Sequence, residues 1–368
     1  MPAFAFEYLD GGCFSEVNLR RNTAEIRDVQ LRPYYLRDYQ GCSLQTELFG
    51  EVYDAPFGVA PIGLQGLMWA GSSEALATAA HAANLPFVLS TVSTASIETI
   101  AELTSGRAWF QLYHPAEDSL RDQLLERAAA AGIKVLVVLA DTPSFAYRPK
   151  EIRNGLSIPP RLSPRNLWQM LTHPSWSLAQ LRHGAPSFAT MKPYLPKGLD
   201  LKHLGEFISK TFDGRLTRAK LGALRDRWKG TLVVKGIVTA EDAEAALELG
   251  ADGFIVSNHG GRQLDAGQST IAPLTELARG FGARTTVMMD SGLRSGPDIA
   301  CALASGARFT FLGRSFMYGI GALGPAGGEH TMTMLETQLR QVMEQLACER
   351  VADLPQHLVS GAGAAPEA

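Results

Sequence analysis

The stretch Gly253-Phe254-Ile255-Val256-Ser257-Asn258-His259-Gly260-Gly261-Arg262-Gln263-Leu264-Asp265 decides how the chain is read. Its first four residues are apolar without interruption, which predicts a strand buried on both faces rather than one half exposed. The nine residues from Ser257 to Asp265 are not built for packing. Gly260 and Gly261 permit positive φ or a close backbone approach to a ligand. His259 can move a proton near neutral pH, and Arg262 carries a planar fork suited to a carboxylate or phosphate. A polar strand end with a helix-capping turn is the plain alternative. The arginine three residues beyond the histidine argues against it, as do the other strand ends.

Working outward, seven more apolar runs lie at residues 56–60, 86–89, 108–112, 135–140, 231–234, 286–289 and 308–312. Helix-like segments separate several of them, at 72–83, 120–131, 240–249 and 297–305, the last opened by Pro297 in its first turn. Strands without alternation that exchange with helices imply a parallel sheet covered on both faces. A doubly wound sheet satisfies that rule too, but the count of eight favours an α/β fold of the (β/α)8 TIM barrel type, one domain over residues 1–368.

Between the fourth and fifth runs the spacing roughly doubles, giving a long insertion after strand four, approximately residues 149–230. It is rich in Pro, Arg and Trp, including Pro159, Pro160, Pro164, Trp168, Pro174, Trp176 and Pro196. Such an insertion in a compact fold is expected to be a lid or binding loop. Its patch Leu167-Trp168-Gln169-Met170-Leu171, with Trp176, either meets a membrane or partner surface or folds back on the barrel. Residues 360–368 read as a frayed terminus.

Composition narrows the function. With 46% hydrophobic and 19% charged residues, the chain has the make-up of a globular protein with a large core. Lys and Arg number 34 against 37 Asp and Glu, a net charge of −3, so no basic excess points to nucleic acid. Cys13, Cys42, Cys301 and Cys348 are scattered without paired spacing, so neither a metal site nor a disulfide framework is expected. There is no signal-peptide pattern and no apolar run of about 18 residues, which makes a cytoplasmic location the expectation.

In a barrel of this kind chemistry gathers at the C-terminal ends of the strands. Those ends read Pro61-Ile62-Gly63, Ser90-Thr91, Gln111-Leu112-Tyr113, Asp141-Thr142-Pro143, Lys235-Gly236, the His259 motif, Asp290-Ser291-Gly292-Leu293-Arg294 and Gly313-Arg314. Such a gathering of Gln, Tyr, Asp, Lys, His and Arg marks one rim as functional. Glycine-containing loops after the seventh and eighth strands, each with an arginine, form a frequent phosphate site in such barrels. Gly292, Gly296 and Gly313 would offer N–H groups there, and Arg294 or Arg314 the charge; sugar-phosphate enzymes share this pattern.

With these residues in place, the chain resembles the FMN-dependent 2-hydroxy acid oxidising enzymes: glycolate and lactate oxidases, lactate monooxygenase, and L-lactate and mandelate dehydrogenases. The likeness runs from Phe6-Glu7-Tyr8-Leu9-Asp10-Gly11-Gly12 through Trp109-Phe110-Gln111-Leu112-Tyr113, Asp141-Thr142-Pro143 and Lys235-Gly236 to the 257–265 motif and Asp290-Ser291-Gly292. The resemblance implies FMN as cofactor and an L-2-hydroxy acid, lactate-like by default, as substrate. It implies His259 as the base, removing the carbon-bound or hydroxyl proton while two electrons pass to flavin N5. Asp141 would stabilise the protonated imidazole. Arg262 and Arg148 would clamp the substrate carboxylate, and Tyr8 and Tyr113 would hydrogen-bond carboxylate or hydroxyl. Lys235 would sit at the flavin N1–O2 edge. Pro61, Ile62, Gly63, Ser90, Gln111 and Ser257 would contact the flavin, while Asp290, Gly292, Arg294, Gly313 and Arg314 would hold ribityl and phosphate.

The chain departs from the family pattern in three places. Leu139 stands where a threonine is usual two residues before the strand-four aspartate, Val92 stands two residues after Ser90 near the substrate side chain, and the chain opens directly on the Tyr8 motif. Local likenesses divide on the electron acceptor. Ala60-Pro61-Ile62-Gly63 and Tyr147-Arg148-Pro149-Lys150-Glu151 are similar to the lactate monooxygenase branch. His173-Pro174-Ser175-Trp176-Ser177-Leu178 and Arg182-His183-Gly184 are similar to respiratory dehydrogenases, which use this region at the membrane and reduce quinone. A quinone, O2 or another acceptor is therefore expected as partner, with the dehydrogenase favoured. Peripheral contact with the inner face of the membrane and a homo-oligomer, a tetramer by resemblance, complete the expectation. Two other functions compete: a phosphate-binding barrel isomerase or lyase, and a flavin-binding protein that has lost catalysis.

Overall fold

A computed structural model describes residues 1–156, 163–184, 186–195, 211–212 and 214–359. Pro159, Pro160 and Pro196 of the insertion, and the 360–368 tail, lie outside the described residues. Two short strands not anticipated from the sequence come first, β1 (Thr46–Leu48) and β2 (Glu51–Tyr53), paired antiparallel with Thr46 opposite Tyr53. The eight expected strands come next as β3 (Phe57–Val59), β4 (Val88–Ser90), β5 (Trp109–Leu112), β6 (Val135–Leu139), β7 (Thr231–Ile237), β8 (Gly253–Val256), β9 (Thr286–Met289) and β10 (Phe309–Leu312). They pair in parallel in the spatial order β3-β10-β9-β8-β7-β6-β5-β4. Val59 bridges Phe87 in parallel, its N–H donating to the Pro86 carbonyl at 2.9 Å, so the two ends of the sheet meet. This closure selects the barrel over the doubly wound sheet, which keeps open edges.

Strand periodicity explains how one rim becomes polar. Side chains alternate sides along a strand. Val88, Trp109, Val137, Val233, Ile255, Met288 and Phe311 form one cluster inside the barrel, while Phe110, Val138, Val234, Val256 and Met289 join the larger core outside it. Two residues beyond the interior set lie Ser90, Gln111, Leu139, Lys235, Ser257, Asp290 and Gly313, on the same inward parity and one layer nearer the C-terminal rim. The β1–β2 hairpin belongs to the inner cluster. Leu48, Phe49 and Tyr53 pack on it, Phe49 and Trp109 having ring centroids 5.9 Å apart. The apolar floor therefore comes partly from outside the repeating units.

The insertion after β6 contains helices Pro149–Arg153, Pro164–Thr172 and Pro174–His183, each opened by proline in its first turn. The aromatic patch divides, Trp176 folding back on the barrel while its neighbours stay exposed. Trp176 turns inward, edge-on to Phe4 at 5.5 Å, with Nε1 donating to the Met68 carbonyl at 2.8 Å. Phe4 lies on the helix Ala3–Asp10, which also carries Tyr8. On the outer side Leu167, Trp168, Leu171, Leu178 and Leu181 are exposed, Trp168 by 67% and Leu181 by 81%. No helix among the described residues is long and apolar enough to cross a membrane.

Candidate active site

The loop after β8 turns through three successive left-handed residues, His259 (φ +57°), Gly260 (+67°) and Gly261 (+71°). Positive φ is unfavourable for a residue with a side chain and persists where its surroundings enforce it. Here the Ser257 hydroxyl accepts from His259 N at 3.1 Å, Asn258 Oδ1 accepts from Gly261 N at 3.1 Å, and Ser291 Oγ accepts from Gly260 N at 2.9 Å. A Cβ on Gly261 would lie 2.6 Å from the Leu19 backbone, so the turn packs against the helix Val17–Arg27.

This turn sets the His259 ring between two partners. Nδ1 lies 2.9 Å from Asp141 Oδ1, and Nε2 lies 3.5 Å from the Tyr113 hydroxyl. Asp141 holds Nδ1 as the donor, which leaves Nε2 as the basic nitrogen. Burial is the main influence on the imidazole and holds its pKa below the usual value, against the pull of Asp141. Burial alone would raise the Asp141 carboxyl, but the charge of Lys235 and the hydrogen bond from His259 outweigh it and keep the group ionised. The ring is thus a neutral base beside a fixed anion, and a charge-assisted bond of about 1.5–3 kcal/mol awaits the protonated form.

Lys235 continues the chain of contacts. Its Nζ donates to Ser257 Oγ at 2.8 Å and lies 3.4 Å from Asp141 Oδ2 and 3.3 Å from Asp290 Oδ2. Burial would lower this ammonium, yet the two carboxylates raise it and keep it charged. The strand bulges between Lys235 and Ile237 at Gly236 (φ +100°), where a Cβ would meet Asp141 Cβ at 2.5 Å. Glycine is required there for Asp141 to reach both Lys235 and His259.

A second group gathers Tyr8, Arg148 and Arg262. The Arg262 guanidinium lies over the Tyr8 ring at 5.2 Å, and its Nη1 donates to the carbonyls of Tyr8 (2.9 Å) and Gly11 (2.8 Å). Its Nη2 donates to Glu151 Oε1 at 2.6 Å, and Arg148 Nη1 lies 3.5 Å from the same oxygen. Arg148 Nε is buried without a partner among the described residues. Desolvation chiefly, then Arg262, holds the Arg148 pKa below its ordinary value. Desolvation chiefly raises both tyrosines, Tyr113 to about 12, so both stay protonated as donors.

The remaining residues line the other side of the rim. Ser90 and Gln111 are paired across β4 and β5, and the Gln111 amide nitrogen is buried with no partner among the described residues. A Cβ on Gly313 would meet only Ile62 and Ala60 at 3.6 Å and beyond, and a Cβ on Gly63 would press on Val92 at 2.8 Å. Pro61, Ile62 and Gly63 are partly exposed. Gly292 packs on Asn22, and Asp290 Oδ1 accepts from Ser291 Oγ at 2.9 Å. Arg314 donates from Nε, Nη1 and Nη2 to the carbonyls of Leu9, Gly260 and Gly11. One hydrogen remains on each terminal nitrogen. Burial lowers both Arg294 and Arg314, and the charge of Arg294 lowers Arg314 further. The buried Arg314 guanidinium and the partly buried Arg294 beside it, with capacity to donate, fit the phosphate of FMN, and the orphaned Gln111 amide fits the polar edge of its ring.

Several contributors carry no signal in the sequence. Asn18 and Asn22, fully buried on the helix Val17–Arg27, bond with Asn258, which donates to Asn22 Oδ1 at 2.6 Å and to Asn18 Oδ1 at 3.2 Å. Two asparagines four apart on a helix read as a solvated face, so no local signal marks them. Glu151 is visible in sequence only within a family-like string. Ser291 and Thr142 stand at strand ends where residue type alone implies no role; Thr142 Oγ1 lies 3.4 Å from His259 Nδ1.

Comparison with known proteins identifies the family. A family model described as FMN-dependent dehydrogenase matches residues 1–361. L-lactate dehydrogenases of Pectobacterium atrosepticum and Vibrio parahaemolyticus are each 38% identical over 355 residues, covering 96% of this chain and 92% and 93% of theirs. Among solved structures, the monotopic membrane protein (S)-mandelate dehydrogenase superposes with a TM-score of 0.92 at 35% identity, covering 98% of this chain and 96% of its own. A mandelate oxidase does so with 0.81 at 30% identity, covering 98% and 94%. The chain belongs to the FMN-dependent dehydrogenase family, with FMN as its cofactor.

Proposed function

We propose that this protein oxidises an L-2-hydroxy acid, lactate-like by default, to the 2-oxo acid and passes the electrons to a quinone or similar acceptor in preference to O2. The observation that carries the reading is the His259 ring, with Nδ1 anchored to Asp141 and Nε2 directed toward Tyr113, beside a two-arginine group. Bound FMN supplies the two-electron acceptor. Arg148 and Arg262 hold the substrate carboxylate, and the Tyr113 and Tyr8 hydroxyls donate to its oxygens. His259 Nε2 takes the proton and Asp141 stabilises the imidazolium that forms. Lys235, beside Asp141 on the same rim, keeps its positive charge and is assigned to the flavin N1–O2 edge. Gln111, Ser90, Ser257 and the 61–63 backbone are assigned to the flavin ring. Asp290, Gly292, Arg294, Gly313 and Arg314 are assigned to ribityl and phosphate. An isomerase or lyase would use the Arg294–Arg314 end and leave His259, Asp141 and the arginine group without a joint task. A flavin protein without catalysis leaves them equally idle.

The exposed Leu167, Trp168, Leu171, Leu178 and Leu181 support peripheral docking of the insertion on a lipid surface, where a quinone would be found. The neighbour described as monotopic lends this support. The test measures 2-oxo acid formation by the FMN-loaded protein on vesicles with a quinone analogue, with hydrogen peroxide assayed in parallel. Quinone reduction matched to product is expected. Peroxide matched to product, with no quinone reduced, overturns the choice of acceptor; absence of 2-oxo acid from every L-2-hydroxy acid tried overturns the activity.

A further inference from the structure

An acid of the protein itself reaches both arginines. Glu151 lies one turn after Arg148 on the short helix Pro149–Arg153, with its side chain 14% exposed. Its Oε1 accepts from Arg262 Nη2 at 2.6 Å and lies 3.5 Å from Arg148 Nη1. The neighbouring charges do not disturb this arrangement, since Lys150 is paired with Glu16 at 2.8 Å and Asp141 with Lys235 at 3.4 Å. Two guanidinium charges against one carboxylate leave a single net positive charge. Donors also remain for a ligand. Arg262 Nη1 is engaged by two carbonyls and Nη2 by Glu151, and Arg148 Nη2 lies 3.4 Å from Gln263 Oε1, while Arg148 Nε is buried with no acceptor among the described residues. The pocket therefore has room, in charge and in hydrogen bonds, for one more carboxylate.

We propose that Glu151 is a specificity-determining residue that matches the arginine clamp to a single substrate carboxylate and disfavours 2-hydroxy acids carrying a second acidic group. This rests on the reading of Arg148 and Arg262 as the substrate clamp. A second carboxylate would enter a partly desolvated pocket already neutralised by the first and faced by Glu151, where like charges repel strongly. Glu151 acts through the arginines, so the diagnostic readout is selectivity rather than rate alone.

The test compares kcat/KM for (S)-malate and (S)-lactate in wild type, Glu151→Gln and Glu151→Asp, each FMN-loaded and checked by thermal melting. The malate-to-lactate ratio is expected to rise about tenfold or more in Glu151→Gln, equivalent to about 1.4 kcal/mol, and to stay near wild type in Glu151→Asp. A ratio that stays within about threefold of wild type in Glu151→Gln overturns the proposal. If that variant turns over too slowly, calorimetric titration with pyruvate and 2-oxoglutarate reads the same selectivity and is judged by the same margin. Arg148→Met separates the two layers. An unchanged KM for lactate there defeats the clamp itself, whereas a raised KM with an unmoved Glu151→Gln ratio defeats only the role of Glu151.

Discussion

Replacing Asp141 by Asn tests the link between the buried carboxylate and the base with little change of volume. The Oδ1–Nδ1 distance is 2.9 Å and the Asp141 side chain is only 8% exposed, so the interaction is poorly screened. A hydrogen bond to a charged group contributes about 1.5–3 kcal/mol, and two unit charges about 4 Å apart at an effective dielectric of about 20 attract by about 4 kcal/mol. Lys235, 3.4 Å from the other oxygen, offsets part of that attraction. About 2–3 kcal/mol of imidazolium stabilisation should therefore be lost, slowing the step roughly 30- to 150-fold. The amide brings a second penalty. If its NH2 turns toward Nδ1, the proton moves to Nε2 and the base disappears. The assay is the anaerobic rate of flavin bleaching at saturating L-lactate, with FMN content checked by absorbance. The sign of the pH effect adds a control. Asp141 raises the His259 pKa against burial, so its removal must shift the acid limb of kcat/KM to lower pH while the plateau falls. A rate within about threefold of wild type, or an acid limb that moves upward, refutes the reasoning.

The same geometry sets four further outcomes. In wild type, kcat/KM should fall on the acid side with a midpoint below the ordinary imidazole value of about 6.5, because burial holds His259 neutral; a midpoint above that value contradicts it. Gly261→Ala combines positive φ with a Cβ 2.6 Å from the Leu19 backbone, so calorimetry should show a destabilisation of at least about 1–3 kcal/mol, and an unchanged melting temperature counts against the turn. Trp176→Ala should cost about 3–5 kcal/mol by calorimetry and, in steady-state kinetics, raise KM by loosening the Phe4–Tyr8 helix. Trp168→Ser should change stability by less than about 0.5 kcal/mol yet weaken vesicle binding; a flotation assay showing equal binding would remove the case for that face.

The sequence was most legible where a single physical rule acts locally. Continuous apolar runs such as 253–256 and 286–289 coincide with β8 and β9, since a strand covered on both faces has no polar positions to blur its ends. The polar residues just beyond those runs were readable because inward parity carries Trp109 to Gln111, Val233 to Lys235 and Ile255 to Ser257. The elements that escaped depend on distant pairing. The β1–β2 hairpin has three-residue strands with no periodicity to detect, and its place is fixed by Trp109 and Phe309. Asn18 and Asn22 gain meaning only when the fold brings Asn258 to them. Glu151 sits on a five-residue helix, and no pattern announces that it faces two arginines. The aromatic patch of the insertion was ambiguous for the same reason. Trp168 and Trp176 look alike in sequence and point in opposite directions because only one has Phe4 and the Met68 carbonyl within reach.

The central claim is that His259, poised by Asp141, takes the proton while bound FMN takes two electrons from an L-2-hydroxy acid. Its most direct test is the anaerobic visible spectrum of FMN-loaded wild type and His259→Gln after addition of L-lactate, then L-mandelate. Rapid bleaching of the flavin band in wild type, with a loss of at least about a hundredfold in rate in the variant, is the expected result. Equal bleaching rates in both proteins, or an FMN-loaded wild type that neither acid bleaches, would contradict it.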